Sequence, residues 1–400
     1  MSYTAIQPTM YKGINNILKS SFSLTKDIFF HTFPVHVNRS YSYMFLVHPR
    51  NNEDIFRKFP FLKYFPESFV TFFSHNFWPV TVSRITGLVS KKTGKPIKGY
   101  VVSIPMTAPQ MLKNRGKALE QMNKAINMAK RRGVKLIGLG ALTSSISRGG
   151  LDLVDRHKDV NITTGHAYTA HNVTSNALTL IEYMGINKET CKIAIVGSAG
   201  SVGTTSAMII ARKGFKFLQL VDVLRKHIQV QKLAEELRKI NPNIDIEISD
   251  TVETIKTADV IITATNTPEA LIKSEHLKPG AIVVDDAQPS DVSDDVLDRE
   301  DVLIVEAGVV HTPEIHSNFN FGLKNRNDNF CCLAEVLVLA SEEWDENYVI
   351  DRATLEHVDH VSSLGKILDF TIGAFQNRKE LITPEKLEKI KYIIKSNSSK

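Results

Sequence analysis

Between Lys192 and Glu306 short apolar runs recur, each followed by a stretch whose apolar residues return every three or four positions. Runs of four to six apolar residues suit strands buried on both faces, and the longer stretches suit amphipathic helices. The pattern predicts strand 193–196, helix 202–213, strand 217–222, helix 227–240, strand 244–248, a short helix near 251–257, and strands 259–264, 281–285 and 302–305. Strands alternating with helices imply a parallel, doubly wound sheet.

N-terminal to this region the period changes to two. Val80, Val82, Ile85 and Leu88 alternate, as do Tyr100, Val102 and Ile104, with Lys92-Thr93-Gly94-Lys95-Pro96 between them, so a hairpin is expected. Thr107-Ala108-Pro109 opens a helix carrying Met111, Leu112, Leu119, Met122, Ala125, Ile126 and Ala129, which stops before Gly133. Val134–Leu139 reads as a strand running into Gly138-Leu139-Gly140-Ala141-Leu142-Thr143-Ser144. α/β proteins place binding groups in small, glycine-rich loops of this kind, so Thr143 and Ser144 are candidates for holding substrate. The segment Thr163–His171 begins a long helix through about Tyr183, closed by Gly185 and expected to bridge two domains. After Phe330 the chain reads as mostly helical.

These elements suggest an aromatic-rich extension over 1–75, an α/β substrate-binding domain over 76–185, a Rossmann-type dinucleotide-binding domain over 186–325 and a helical segment over 326–400. Thirteen of the twenty phenylalanines lie between Phe22 and Phe77. That concentration fits a small aromatic core, or a greasy face that lines an acyl tunnel or makes peripheral contact with a membrane.

Composition narrows the class. With 42% hydrophobic and 23% charged residues, the chain is of ordinary globular type. A net charge of +6 permits an acidic partner, but no basic run is interleaved with stacking aromatics, so nucleic acid is not expected. Three cysteines, two of them adjacent, cannot build a disulfide framework and point to a reducing compartment. Without a signal-peptide pattern or a long apolar run, the cytoplasm is the expected location.

Two motifs carry chemistry. The first is Gly197-Ser198-Ala199-Gly200-Ser201-Val202-Gly203, entered from a strand and leading into a helix. Glycines at that spacing let backbone N–H groups approach a pyrophosphate, and the helix N-terminus favours its negative charge. Asp222, at the end of the second strand, stands where an acid binds an adenosine ribose, which favours NADH. Arg225 and Lys226 follow at once and suit a 2′-phosphate, which favours NADPH. Thr265 and Asn266, after the fourth strand, complete the expected cofactor contacts.

The second motif is Asp328-Asn329-Phe330-Cys331-Cys332-Leu333-Ala334-Glu335, read as a helix capped by Asp328 or Asn329. A first-turn thiol lies in a field that stabilises thiolate, the nucleophilic form. Neighbouring helical residues point about 100° apart, so only one of the two cysteines can face a site. Glu335 reads as an acid favoured in a first turn. No metal site is expected, because His166 and His171 at i,i+5 splay on a helix.

Read in order, these motifs resemble the long-chain acyl-(acyl carrier protein) reductases of cyanobacteria over roughly residues 77–345. The resemblance rests on Phe77-Trp78, Thr93-Gly94-Lys95, Leu139–Ser144, Thr163-Thr164-Gly165, the glycine loop, Gly308-Val309-Val310 and Phe330–Glu335. It implies NAD(P)H-dependent reduction of a fatty acyl thioester to the aldehyde, through a covalent acyl group on Cys332. The carrier would be acyl carrier protein or CoA. It implies NADPH, with NADH left open by Asp222, and substrate contacts at Thr164 and Gly165. Gly308, His311, Tyr168 and Ser144 become candidates for stabilising the oxyanion, with Tyr168 at the position of a family histidine. Lys113, Arg115, Lys117, Lys124, Lys130, Arg131 and Arg132 form a basic face suited to an acidic carrier. Two other readings stay open: a shikimate-dehydrogenase-like oxidoreductase without a covalent intermediate, and a non-catalytic protein that binds a dinucleotide or lipid.

Overall fold

The computed structural model describes residues 25, 27, 29 and 41–398, except 268, 288 and 320. Most of residues 1–40, the first part of the expected 1–75 extension, therefore lies outside the described residues. The chain forms two compact units. One runs through Thr164 and takes back Glu314–Arg326 and Leu339–Ile350; the other comprises Gly165–Pro313, Asn327–Val338 and the chain from Asp351 onward.

The first unit is built on strands β1 (Ser42–Val47), β2 (Val80–Thr86), β3 (Lys98–Ser103), β4 (Leu136–Leu139) and β5 (Asn161–Thr163), joined later in the chain by β13 (His316–Ser317). Their order is β13-β2-β3-β1-β4-β5. The expected hairpin is present, with β2 antiparallel to β3. Residues 42–47, assigned from sequence to an extension, instead form an interior strand, parallel to both β3 and β4. Met44 and Leu46 on that strand are buried with Val102, Ile104, Met122, Ile126 and Ile137. The single expected helix after Thr107 is two, Ala108–Lys113 and Arg115–Arg131. They break at Asn114, whose side chain accepts from Lys117 N and caps the second. The aromatic segment divides: Ile55, Phe59, Leu62 and Val70 make a small core, while Phe65, Phe69, Phe72 and Trp78 are exposed.

The second unit holds β6 (Lys192–Val196), β7 (Phe217–Val221), β8 (Asp245–Ser249), β9 (Val260–Thr263), β10 (Ile282–Asp285) and β11 (Leu303–Glu306). All pairs are parallel, in the order β11-β10-β9-β6-β7-β8. Strand order reverses between β6 and β9, the doubly wound Rossmann arrangement in which ligands bind outside the carboxyl ends of the strands. The alternation read from the sequence is thus the observed fold, with the 251–257 segment a 3₁₀ turn over Val252–Thr257. The helix expected to bridge two domains, His166–Met184, belongs to this unit and buries Val173, Ala177, Leu180 and Met184 in its core. A three-stranded sheet, β14-β12-β15, follows from β12 (Val309–His311), β14 (Asp328–Phe330) and β15 (Thr371–Ile372). Among the described residues no helix is long and apolar enough to cross a membrane.

Candidate functional site

The glycine loop leaves the carboxyl end of β6 and enters the Ser201–Arg212 helix. Gly197 has φ +84°, and a Cβ there would sit 2.7 Å from the Ala264 carbonyl and 3.0 Å from Thr265 Cγ2. A side chain at Gly203 would fall 2.3 Å from the Gly197 carbonyl oxygen, so the helix packs directly on the turn. Beneath the loop the Ser198 and Ser201 hydroxyls are buried without a hydrogen-bond partner. Buried hydroxyls are ordinarily satisfied. Two orphaned hydroxyls beside the open N–H groups of a helix start fit a phosphate-bearing cofactor.

Asp222 braces this loop. One carboxylate oxygen accepts from Ala199 N at 2.8 Å and the other from Val223 N at 2.9 Å. Lys226 Nζ lies 3.8 Å away, and Arg225 is exposed. Asp222 thus holds the turn in shape, with Lys226 beside it. Thr265 is tied to Asp291 by its hydroxyl at 2.5 Å and its N–H at 3.3 Å, whereas Asn266 is exposed.

The cysteines start the Cys331–Ser341 helix at the carboxyl edge of the same sheet. Asp328 and Asn329, expected as caps, are strand residues of β14, paired with β12 in the register His311↔Asp328 and Val309↔Phe330. The amide of Cys331 donates to the Gly308 carbonyl at 3.0 Å, and its Sγ donates to the Ala307 carbonyl at 3.6 Å. Cys331 is only 1% exposed, and burial, with Asp286 and Cys332 nearby, pushes its thiol well above the usual range. Cys332 keeps part of its surface open.

Gly165, with φ +79°, lies against Cys332: a Cβ on it would fall 2.4 Å from Cys332 Cβ. Glu335 is fully buried and accepts from Gly165 N at 3.0 Å and from Tyr168 N at 2.9 Å. The first-turn acid expected from sequence is therefore the cap of a second helix, His166–Met184, and fixes it beside the cysteine. A lone carboxylate in Leu333-Ala334-Glu335-Val336-Leu337 was the signal for this, since a buried charge requires partners.

The other candidates divide. Tyr168 is buried, its ring edge-on to Phe370 and its hydroxyl against Gly365. Burial pushes the phenol above its ordinary value. His311 Nδ1 pairs with the buried Asp328 carboxylate at 3.0 Å, leaving a part-exposed ring. The antiparallel register carries His311 away from Val309 as the partner strand advances toward Cys332. At about 3.3 Å per residue its backbone is set back from the cysteine by roughly two residues on each strand.

Thr143, Ser144 and Thr164 lie in the first unit and are buried. The Thr143 hydroxyl donates to the Gly140 carbonyl at 2.7 Å, and Thr164 N donates to the Val349 carbonyl at 3.1 Å. Much of the basic face there is compensated: Lys117 and Lys124 pair with Glu120, Lys130 with Asp159, Arg115 with Asp152 and Arg132 with Asp27.

Sequence reasoning passed over Asp286, which follows β10 and touches Gly308, and Asp291, which anchors Thr265. An Asp-Asp pair at the carboxyl end of a predicted strand was the available signal.

Strand order and glycine turn together define a Rossmann-type domain of the kind that binds NAD(P). Comparison with known proteins agrees. The sequence model for shikimate / quinate 5-dehydrogenase matches residues 180–307. The long-chain acyl-[acyl-carrier-protein] reductase of Synechococcus elongatus is 25% identical over 305 residues, 71% of this chain and 86% of that protein. Aminotransferase PigE of a Serratia species is 24% identical over 312 residues, 76% of this chain; the match spans 36% of that longer protein. Among solved structures, quinate dehydrogenase from Corynebacterium glutamicum in complex with NAD is similar at 15% identity, over 61% of this chain and 79% of that one, with a TM-score of 0.31.

Proposed function

We propose that this protein reduces long-chain fatty acyl thioesters, carried by acyl carrier protein or CoA, to fatty aldehydes through an acyl group held on Cys332. The observation that carries this reading is the contrast between adjacent thiols at the sheet's carboxyl edge. Cys331 is sealed and protonated, whereas Cys332 is open and stands in the first turn of a helix. Reactive thiols are generally part-exposed ones at helix starts, whereas thiols buried in apolar surroundings are inert. The likeness to the Synechococcus reductase over most of both chains supports the same substrate class.

In the first half-reaction the Cys332 sulfur attacks the thioester carbonyl, a new C–S bond forms and the carrier leaves as its thiol. A nicotinamide dinucleotide, whose pyrophosphate Gly197–Gly203 would hold, would supply the hydride for the second half. The enzyme-bound thioester then becomes a thiohemiacetal, whose C–S bond breaks to release aldehyde and return the sulfur. Glu335 keeps the Gly165 turn against Cys332.

Exposure to hexadecanoyl-CoA followed by intact-mass measurement tests the proposal. Cys332→Ser should lose both the acyl adduct and aldehyde formation with NADPH, and Cys331→Ala should retain both. An adduct on Cys331, or none on the wild type, overturns it. The match to the shikimate/quinate model favours a second reading, hydride transfer with no covalent intermediate. That reading requires activity to survive replacement of both cysteines.

A further inference from the structure

Three carboxylates gather after β10 and are not equivalent. Asp285 accepts from the Thr263 hydroxyl at 2.7 Å, from the Ser290 hydroxyl at 2.5 Å and from Ala287 N at 3.0 Å. Asp291 accepts both groups of Thr265. These two are structural acceptors that hold the loops after β9 and β10. Among the described residues the Asp286 carboxyl has no hydrogen-bond partner, although its own N–H is satisfied by the Thr263 carbonyl at 3.0 Å.

Its position is specific. A Cβ built on Gly308 falls 3.1 Å from Asp286 Oδ1. Gly308 is the residue whose carbonyl receives the Cys331 N–H, and the Asp286 charge also reaches the Cys331 thiol. The carboxyl therefore lies where the cysteine helix meets the ends of β10 and β11. In a doubly wound sheet of this order, that half of the carboxyl edge faces the nicotinamide portion of the cofactor. The buried, unpartnered Ser198 hydroxyl under the glycine turn is an independent sign of a ligand along the same edge.

From this placement we infer that Asp286 is the proton donor to the oxyanion formed when the acyl group on Cys332 is reduced. Desolvation, with Asp285 and Asp291 alongside, pushes its carboxyl well above the ordinary carboxylate range, the direction a proton donor needs. Hydride addition turns the thioester carbonyl into an alkoxide. Asp286 protonates that oxygen and becomes a carboxylate, which then takes the same proton back as the C–S bond breaks. Aldehyde departs, the sulfur gains one proton from solvent, and the carboxyl ends the cycle as it began. Asp285, Asp291, Cys331 and, through Cys331, Cys332 are the titratable groups that face it.

The inference rests on the acyl-thioester reading, and the test separates the two. D286N is compared with wild type in two assays: acyl adduct on Cys332 from hexadecanoyl-CoA without cofactor, and aldehyde release after NADPH is added. The expected result is an adduct forming within twofold of the wild-type rate and aldehyde release slowed about 100-fold or more. The alkaline fall of the wild-type release rate should also be absent in D286N. Wild-type release in D286N overturns the assignment and leaves the thioester reading standing. Loss of the adduct in D286N as well makes Asp286 structural and overturns it too. No adduct on wild type removes both.

Discussion

At the scale of single residues, desolvation governs which groups ionise, and four histidines show it as Cys331 does. Desolvation lowers His157, His166 and His171 to about 4, and lowers His48. Each ring is neutral in the folded protein and would be protonated below about 6.5 once unfolded. The unfolded chain therefore binds more protons as pH falls, and stability is lost on acidification. Stability should hold above pH 6.5 and decline toward pH 4 at about 1.4 kcal/mol per pH unit for each such ring. Urea midpoints measured from pH 8 to pH 4 check this; a flat profile would show that these rings are not held neutral. A helix start is a local pattern and marks both cysteines alike in the sequence; what separates them is not local, since the Ala307 and Gly308 carbonyls that close over Cys331 come from 24 and 23 residues earlier in the chain.

At the scale of elements, the His166–Met184 helix shows how a distant carboxylate takes over a local job. Its N-cap is Gly165 in the left-handed region, which offers no side chain to the first-turn N–H groups. Glu335 supplies the missing acceptor from another helix, through two charge-assisted bonds inside the core. Glu335→Ala should cost roughly 3 kcal/mol, because bonds to a charged group contribute about 1.5–3 kcal/mol each and the two share one carboxylate. Glu335→Gln keeps one acceptor and should cost about half as much. Denaturant midpoints of the two variants test the order; equal losses would mean that packing, not the charge, is what Glu335 contributes. Parallel strands and amphipathic helices were readable because their periods are local. The placement of β1 between β3 and β4 was not, since 42–47 pairs with partners more than 50 residues away.

At the scale of the molecule, the chain passes between its two units five times, after Thr164, Pro313, Arg326, Val338 and Ile350. A sequence reading cuts at linkers and therefore placed the dinucleotide-binding domain at 186–325. The core of that domain reaches past both cuts: Val173, Ala177, Leu180, Ile181 and Met184 come from before it and Ile390 from after it, packed on Ile195, Ala207, Ile210 and Leu220. Each such side chain contributes about 1.5–3 kcal/mol of burial, except the smaller Ala177. Domain stabilities are only about 5–15 kcal/mol. A 186–325 fragment should therefore keep much of its secondary structure and lose fixed packing, seen as far-UV circular dichroism without the near-UV signal. The full chain should show both, with a cooperative thermal transition that NADPH moves upward, by about 2.7 kcal/mol at a hundredfold excess over Kd. A fragment with native near-UV bands and the same NADPH shift would make the flanking helices dispensable. The Glu335 cap beside Cys332 would then be a local device rather than part of the core that carries the cofactor.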